Sequence, residues 1–224
     1  MFLKKLNSNQ QRSLSAIKLL RGALAMEILM LFFWIFKLNY VFSIINDQDF
    51  NPEKLILFEI IDLLISLTYL IVFILCTVRF IRWFRRAYNN LHLIHSDLKY
   101  SEGWAAASWF VPILFFYRPY IIMKELFYKT REFLINNNLH ISQKENRIQL
   151  NIWWFLWVVA TIIGIIDFVL GLNIIVFFDE LLVSSISGIF MSLFLIPADY
   201  LTIKLIRKYS KMEIQLEELC NNLN

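Results

Sequence analysis

Charge is scarce in this chain. Asp, Glu, Lys and Arg make up only 18% of its 224 residues, while 58% are hydrophobic. A soluble domain of this length needs more polar surface to cover its core, so the balance excludes an ordinary soluble fold. Cysteine is nearly missing as well. Cys76 and Cys220 are isolated thiols that imply no disulfide framework. A Walker loop, a dinucleotide-binding glycine fingerprint, a Ser/His/Asp arrangement and a metalloprotease motif are all absent. These gaps lower the enzyme reading. His92 and His95 stand three residues apart with Asp97 nearby, but no Cys or carboxylate pattern completes a metal site. Neither a metal nor a cofactor is expected. No cleavable signal peptide or lipidation motif is evident.

What the chain has instead is long apolar blocks. They are continuous rather than alternating, which favours membrane-spanning helices over a barrel. Four reach spanning length, at about 22–45, 55–78, 151–172 and 181–203. Short acidic linkers join them in pairs, one containing Asp47, Asp49, Pro52 and Glu53 and the other Asp179 and Glu180. The expected fold is therefore an all-α integral membrane protein with four transmembrane helices arranged as two hairpins. Residues 22–203 form a single membrane domain, with a central region at 79–150. A basic segment, 1–21, precedes it, and a helical tail, 204–224, follows it.

A fifth apolar stretch, 104–122, lies in the central region. Arg79, Arg82, Arg85, Arg86 and Lys99 precede it, and Lys124, Lys129, Arg131, Lys144 and Arg147 follow it. Cytoplasmic loops carry the Lys/Arg excess, and both flanks are basic. The stretch is therefore expected to be re-entrant or interfacial, with both termini cytoplasmic. Ser101 is a candidate cap for a helix opening near Gly103. Pro112 should break that helix, and Pro119 should hold Arg118 extended and end or turn the segment. Trp83, Trp104, Trp109, Trp153, Trp154 and Trp157 are expected at or near the cytoplasmic interface, with Trp34 deep. The tail carries Leu205, Met212, Leu216, Leu219 and Leu223 at helical spacing. This reads as a short coiled-coil seam, an interfacial helix or, the preferred reading, a frayed extension.

Six charges fall inside the spans: Glu27, Lys37, Glu59, Asp62, Asp167 and Asp199. Each needs a partner, a cavity or a proton. Helical rise places them in two layers. Lys37 pairs with Asp62 or Asp167 in the outer layer, with Glu59 close by. Glu27 and Asp199 form the inner layer, within reach of Arg21, Arg79 or Arg118. Ser184, Gly188 and Ser192 follow the small-xxx-small spacing that permits close helix contact. The charges make either a proton or ion relay or a set of structural ion pairs.

The central region reads Trp83-Phe84-Arg85-Arg86-Ala87-Tyr88-Asn89-Asn90-Leu91. Further on come Tyr100-Ser101-Glu102-Gly103-Trp104-Ala105, Trp109-Phe110-Val111-Pro112-Ile113 and Arg118-Pro119-Tyr120. These runs resemble a bacterial multi-pass membrane family of the domain-of-unknown-function type, DUF4328-like. Its pattern contains RAYxNL, YSxGWA, WFVPI and RPY. Glu102 departs from it, since the family often has Pro there. The resemblance implies a bacterial inner-membrane protein and supplies no activity.

The candidate ligand or lipid-headgroup residues are Arg85, Trp104, Trp109, Arg118 and Tyr120. The expected partners are the lipid bilayer with its anionic cytoplasmic headgroups, and a protein partner or second copy. Nucleic acid is not expected, because the net charge of +4 sits beside apolar blocks. The leading functional reading is a non-enzymatic organising or regulatory component at the cytoplasmic face. A small solute or ion transporter or channel is the alternative. A membrane-bound enzyme acting on lipid, using Arg118, Tyr120, His92 and Glu125, stands third.

Overall fold

A computed structural model describes residues 6–46, 51–137, 139, 147–171 and 177–222, without the side chains of 170–171 and 177–180. The chain is all-α, and no strand occurs among the described residues. Its elements are α1 (Gln10–Ile45), α2 (Pro52–Ile94), α3 (Trp104–Ala107), a 3₁₀ turn (Leu114–Phe116), α4 (Arg118–Asn136), α5 (Arg147–Gly171) and α6 (Phe177–Asn222). Four of these helices, α1, α2, α5 and α6, are long and apolar enough to cross a membrane. The protein is a multi-pass membrane protein.

The start of α2 shows how a polar linker becomes a helix signal. Asn51 Oδ1 accepts the backbone N–H of Glu53 at 2.9 Å and of Lys54 at 3.2 Å. Pro52 opens the helix, where its missing N–H costs nothing, and Glu53 complements the helix dipole. A helix of 43 residues is about 65 Å long at ~1.5 Å per residue. That is roughly twice the hydrocarbon thickness, so α2 continues well beyond any span. The same holds for α6, with 46 residues.

The chain divides into two compact units, and each of the four long helices contributes to both. The first unit comprises residues 1–20, 75–152 and 201–224; the second comprises 21–74 and 153–200. The first has an ordinary buried core. Trp83, Phe84, Ala87, Tyr88 and Leu91 of α2 are fully enclosed, as are Ile122, Leu126 and Leu134 of α4 and Ile206, Tyr209 and Leu216 of α6. These positions recur at three and four residues, the stripe of a helix that packs on its neighbours. The second unit is different. Leu29, Phe32, Phe36, Leu57, Leu63, Ile71, Phe155 and Phe168 all point outwards, the pattern of helices solvated by lipid. Its packed interior includes a cluster of Val41, Ile44, Leu55 and Leu181.

Several expectations need correction. The tail is not frayed. Leu205, Ile206, Tyr209, Met212, Leu216 and Cys220 are all buried, so packing supplies the helix stability that a short isolated segment lacks. Trp83 does not face the headgroups; it is completely buried and meets Tyr209 edge-on at 6.0 Å. Pro119 does not hold Arg118 extended or end the segment. Arg118 is the first residue of α4, with Pro119 in its opening turn, where proline is preorganised for helix.

The stretch 104–122 forms no helix of spanning length. It is a four-residue helix, α3, a tight loop, a 3₁₀ turn and the start of α4. Gly103, rather than Ser101, occupies the cap position of α3, without a side-chain hydrogen bond. After α3 the chain reverses at Ile113, whose φ of 66° and ψ of −46° let Leu114 N–H donate to the Pro112 carbonyl at 2.8 Å. This is a γ-turn of the strained sense, costly for a β-branched residue. It leaves Phe110 and Ile113 exposed.

Candidate functional site

The most conspicuous runs of the sequence all fall within the first unit. Arg118, at the head of α4, has no ion pair among the described residues. Its guanidinium lies 3.9 Å from the Trp104 ring centroid and 4.8 Å from that of Tyr100. Its buried Nε makes no hydrogen bond. The charge is therefore balanced by aromatic faces. Tyr120, two residues on, donates to Asn151 Oδ1 at 2.6 Å. Trp109 packs edge-on against Phe80 and Phe84, at 5.4 and 6.2 Å.

Tyr88 anchors the loop that follows α2. Its hydroxyl donates to Glu125 Oε2 at 2.7 Å and lies 3.0 Å from the Tyr100 carbonyl. Lys99 N–H donates to Glu125 Oε1 at 2.9 Å. Burial, and then the neighbouring Glu125 carboxylate, push the Tyr88 phenol well up. His92 Nε2 meets the same Tyr100 carbonyl at 3.0 Å, and His95 Nε2 meets the Lys129 carbonyl at 3.2 Å. Among the described residues no group of three metal-ligating side chains comes together. Arg118, His92 and Glu125 thus gather around Tyr100, each through a structural contact, while Tyr120 turns to Asn151.

A second polar centre was not visible in the sequence. Glu213, on α6 and ten residues beyond the last expected span, is buried in the first unit. Asn90 Nδ2 donates to its Oε1 at 2.8 Å, and Asn9 Nδ2 approaches Oε2 at 3.0 Å and Oε1 at 3.3 Å. Asn9 also reaches the Trp83 carbonyl at 3.2 Å. Asn90 exchanges two hydrogen bonds with the Asn7 backbone, at 2.8 and 3.1 Å. One carboxyl thus ties the N-terminal segment, α2 and α6 together. Burial pushes Glu213 up to about 7, against the opposing effect of the two asparagine donors.

Beside this centre lies a cavity of about 310 Å3 lined by Arg12, Arg82, Arg85, Arg86, Asn89 and Glu102. Of the sequence candidates, Arg85 belongs here. Arg82, Arg86 and Asn89 share its helix at spacings of three, four and seven, so their grouping was legible once α2 was known to run on to Ile94. Arg12, from the start of α1, and Glu102, before α3, arrive only through the tertiary fold.

In the second unit Lys37 is buried. Its Nζ lies 2.7 Å from Asp62 Oδ2 and 3.6 Å from Glu59 Oε1. Asp167 instead accepts a hydrogen bond from Ser187. Glu27 accepts from the Tyr69 hydroxyl at 3.0 Å. Among the described residues no ion pair joins Glu27 or Asp199 to Arg21, and the two carboxyls are near enough to act on one another. The outer charges Lys37, Asp62 and Glu59 form an ion-pair group, while Glu27 of the inner layer meets a phenol. Gly188 sits against Trp34 so closely that a Cβ there would lie 2.6 Å from the indole.

The family model for a domain of unknown function, DUF4328, matches residues 46–211. The chain belongs to this family. The matched stretch runs from the linker before α2 to the buried part of α6, and so includes Arg82, Arg85, Arg86, Arg118 and the Tyr88–Glu125 contact. No curated protein and no solved structure matches the chain. The family assignment agrees with the resemblance carried by the central motifs, and it attaches no activity to them.

Proposed function

We propose that this DUF4328 member is a bacterial inner-membrane protein with both termini in the cytoplasm, acting there as a non-enzymatic organising or regulatory component. The observation that carries the reading is the first unit itself. It is a packed body built from the N-terminal segment, the family's central motifs and the C-terminal helix. Its surface is basic, with Arg82 and Arg85 on one exposed face of α2 and Lys204, Arg207 and Lys211 exposed on α6. Basic side goes with cytoplasmic side, and a positive surface there suits anionic headgroups or an acidic partner. A lipid enzyme has less support, since its candidate residues are each taken up by contacts within the fold, His92, Glu125 and Arg118 around Tyr100 and Tyr120 with Asn151.

The reading is tested by solubilising membranes gently and identifying what co-purifies. Recovery of a specific protein partner or of anionic lipid, enriched over bulk lipid, is expected. Recovery of neither would remove the support.

A transporter or channel remains the second reading, favoured by the buried charges of the second unit. Asp62→Asn, Asp167→Asn or Asp199→Asn should then abolish a flux in proteoliposomes while the protein still folds. Loss of folded protein without a flux to lose marks these acids as structural.

A further inference from the structure

We infer that the cavity between Arg12, Arg82, Arg85, Arg86, Asn89 and Glu102 is a binding site for a phosphate group, carried by a lipid headgroup or by a small phosphorylated solute. The inference deepens the proposed role of the first unit, since it names the chemistry that this unit would recognise.

Three observations lead to it. The first is an imbalance of charge. Four guanidinium groups face one space, and among the described residues none of them has a carboxylate within ion-pair distance. The one acid in the lining, Glu102, is held by the side-chain amide of Asn89 instead. Like charges three and four residues apart on a helix repel; the buried Glu213 attracts Arg86 from beyond ion-pair distance but is itself bonded to Asn9 and Asn90, and it does not face the cavity. A bound anion would offset the repulsion.

The second is placement. The three arginines of α2 occupy a polar face whose opposite side is fully buried through Trp83, Phe84 and Ala87. Their backbone is therefore fixed by the core. Arg12 comes from the far end of the sequence and is set by α1, whose Ser13, the next residue, and Ala16, one turn on, are buried. Burial, and then the repulsion of Arg86 and Arg82, hold the Arg12 guanidinium below its ordinary value. That is the mark of a cation placed where a counter-charge belongs.

The third is fit. A volume of about 310 Å3 lies at the small end of ligand pockets, roughly 300–1,000 Å3. It suits a phosphate with a short substituent. Arginine forks match the several acceptor oxygens of phosphate bidentately, and a cluster of them suits its charge. Glu102 at the edge disfavours a larger polyanion and offers an acceptor to a hydroxyl or ammonium carried by the same ligand.

The test uses the full chain in neutral detergent and in nanodiscs. In detergent, inorganic phosphate is titrated at constant ionic strength against chloride, with tryptophan fluorescence and calorimetry as readouts. In nanodiscs, retention of phosphatidylglycerol over phosphatidylcholine is measured by native mass spectrometry. Arg82→Gln and Arg86→Gln should weaken binding at least tenfold. Lys99→Gln, which removes an exposed cation outside the cavity lining, should leave it unchanged. Without any anion, Arg12→Gln should melt no lower than wild type, because it relieves repulsion; a merely structural arginine would melt lower.

Saturable phosphate binding without lipid preference assigns a soluble phosphorylated ligand. Preferential retention of phosphatidylglycerol assigns a lipid headgroup. No saturable binding of either probe above chloride overturns the inference, and so does equal loss of binding in Lys99→Gln. Co-purification of a protein partner is read separately, so the organising role can survive the loss of this site.

Discussion

Replacing Glu213 by glutamine should make the protein more stable at neutral pH and remove a pH dependence that the wild type has. Glu213 is 5% exposed, and its carboxyl in the folded state is raised from 4.5 to about 7. The cause is burial, opposed by the donors of Asn90 and Asn9 and by Arg86, and reinforced by the nearby Glu217. When the folded value lies above the unfolded one, the folded state binds the proton more tightly. Stability is then full below about pH 4.5 and falls as pH rises towards 7. The displacement corresponds to about 3 kcal/mol at its full extent, at ~1.4 kcal/mol per pH unit.

Glutamine carries no charge to desolvate. Its amide nitrogen does meet one asparagine donor, but Asn9 Oδ1 is buried without a hydrogen bond, so rotating the Asn9 amide supplies an acceptor. That rotation gives up the Trp83 carbonyl contact, so the gain at pH 7 should be smaller, about 1–2 kcal/mol. The assay is thermal or denaturant unfolding of both proteins from pH 4.5 to 8, taking the difference between them so that other titrating groups cancel. A wild type and variant that lose stability in parallel across this range would refute the reasoning, and so would a variant less stable than wild type at pH 8.

Arg118→Lys keeps the charge but loses the flat face that stacks between Trp104 and Tyr100; unfolding should show a loss of about 1–2 kcal/mol, and a neutral outcome would mean that charge alone matters. In the second unit Lys37→Met leaves Asp62 and Glu59 without their cation, a loss of about 3–5 kcal/mol. Adding Asp62→Asn should recover much of it, as judged by melting of the purified protein. Gly188→Ala drives a methyl into the Trp34 ring, where the nearest atoms would be 2.6 Å away, and should cost about 1–3 kcal/mol. Gly164→Ala, which meets only the flexible Met191 sulfur at 3.4 Å, should be close to neutral in the same melting assay.

The membrane class and the number of spanning helices followed from the sequence, because lipid imposes a one-dimensional rule: about twenty apolar residues in a row. The family followed as well, since Trp83–Leu91, Tyr100–Ala105 and Arg118–Tyr120 are compact runs that no tertiary information is needed to read. Lys37 with Asp62 was also within reach, because a buried cation on one helix of a hairpin seeks an acid on the other. What the sequence did not determine is the first unit. The tail looked too polar and too short to pack, yet Leu205, Leu216 and Tyr209 are buried, Tyr209 against Trp83 of α2 and Phe127 of α4. Glu213 gave no sign that it would be buried, because its donors, Asn9 and Asn90, lie 204 and 123 residues away. Arg12 joins Arg82, Arg85 and Arg86 for the same reason. Apolar length and helical spacing are local quantities that a linear reading recovers. A pocket or a buried carboxyl exists only where distant segments meet, and that meeting is decided by packing.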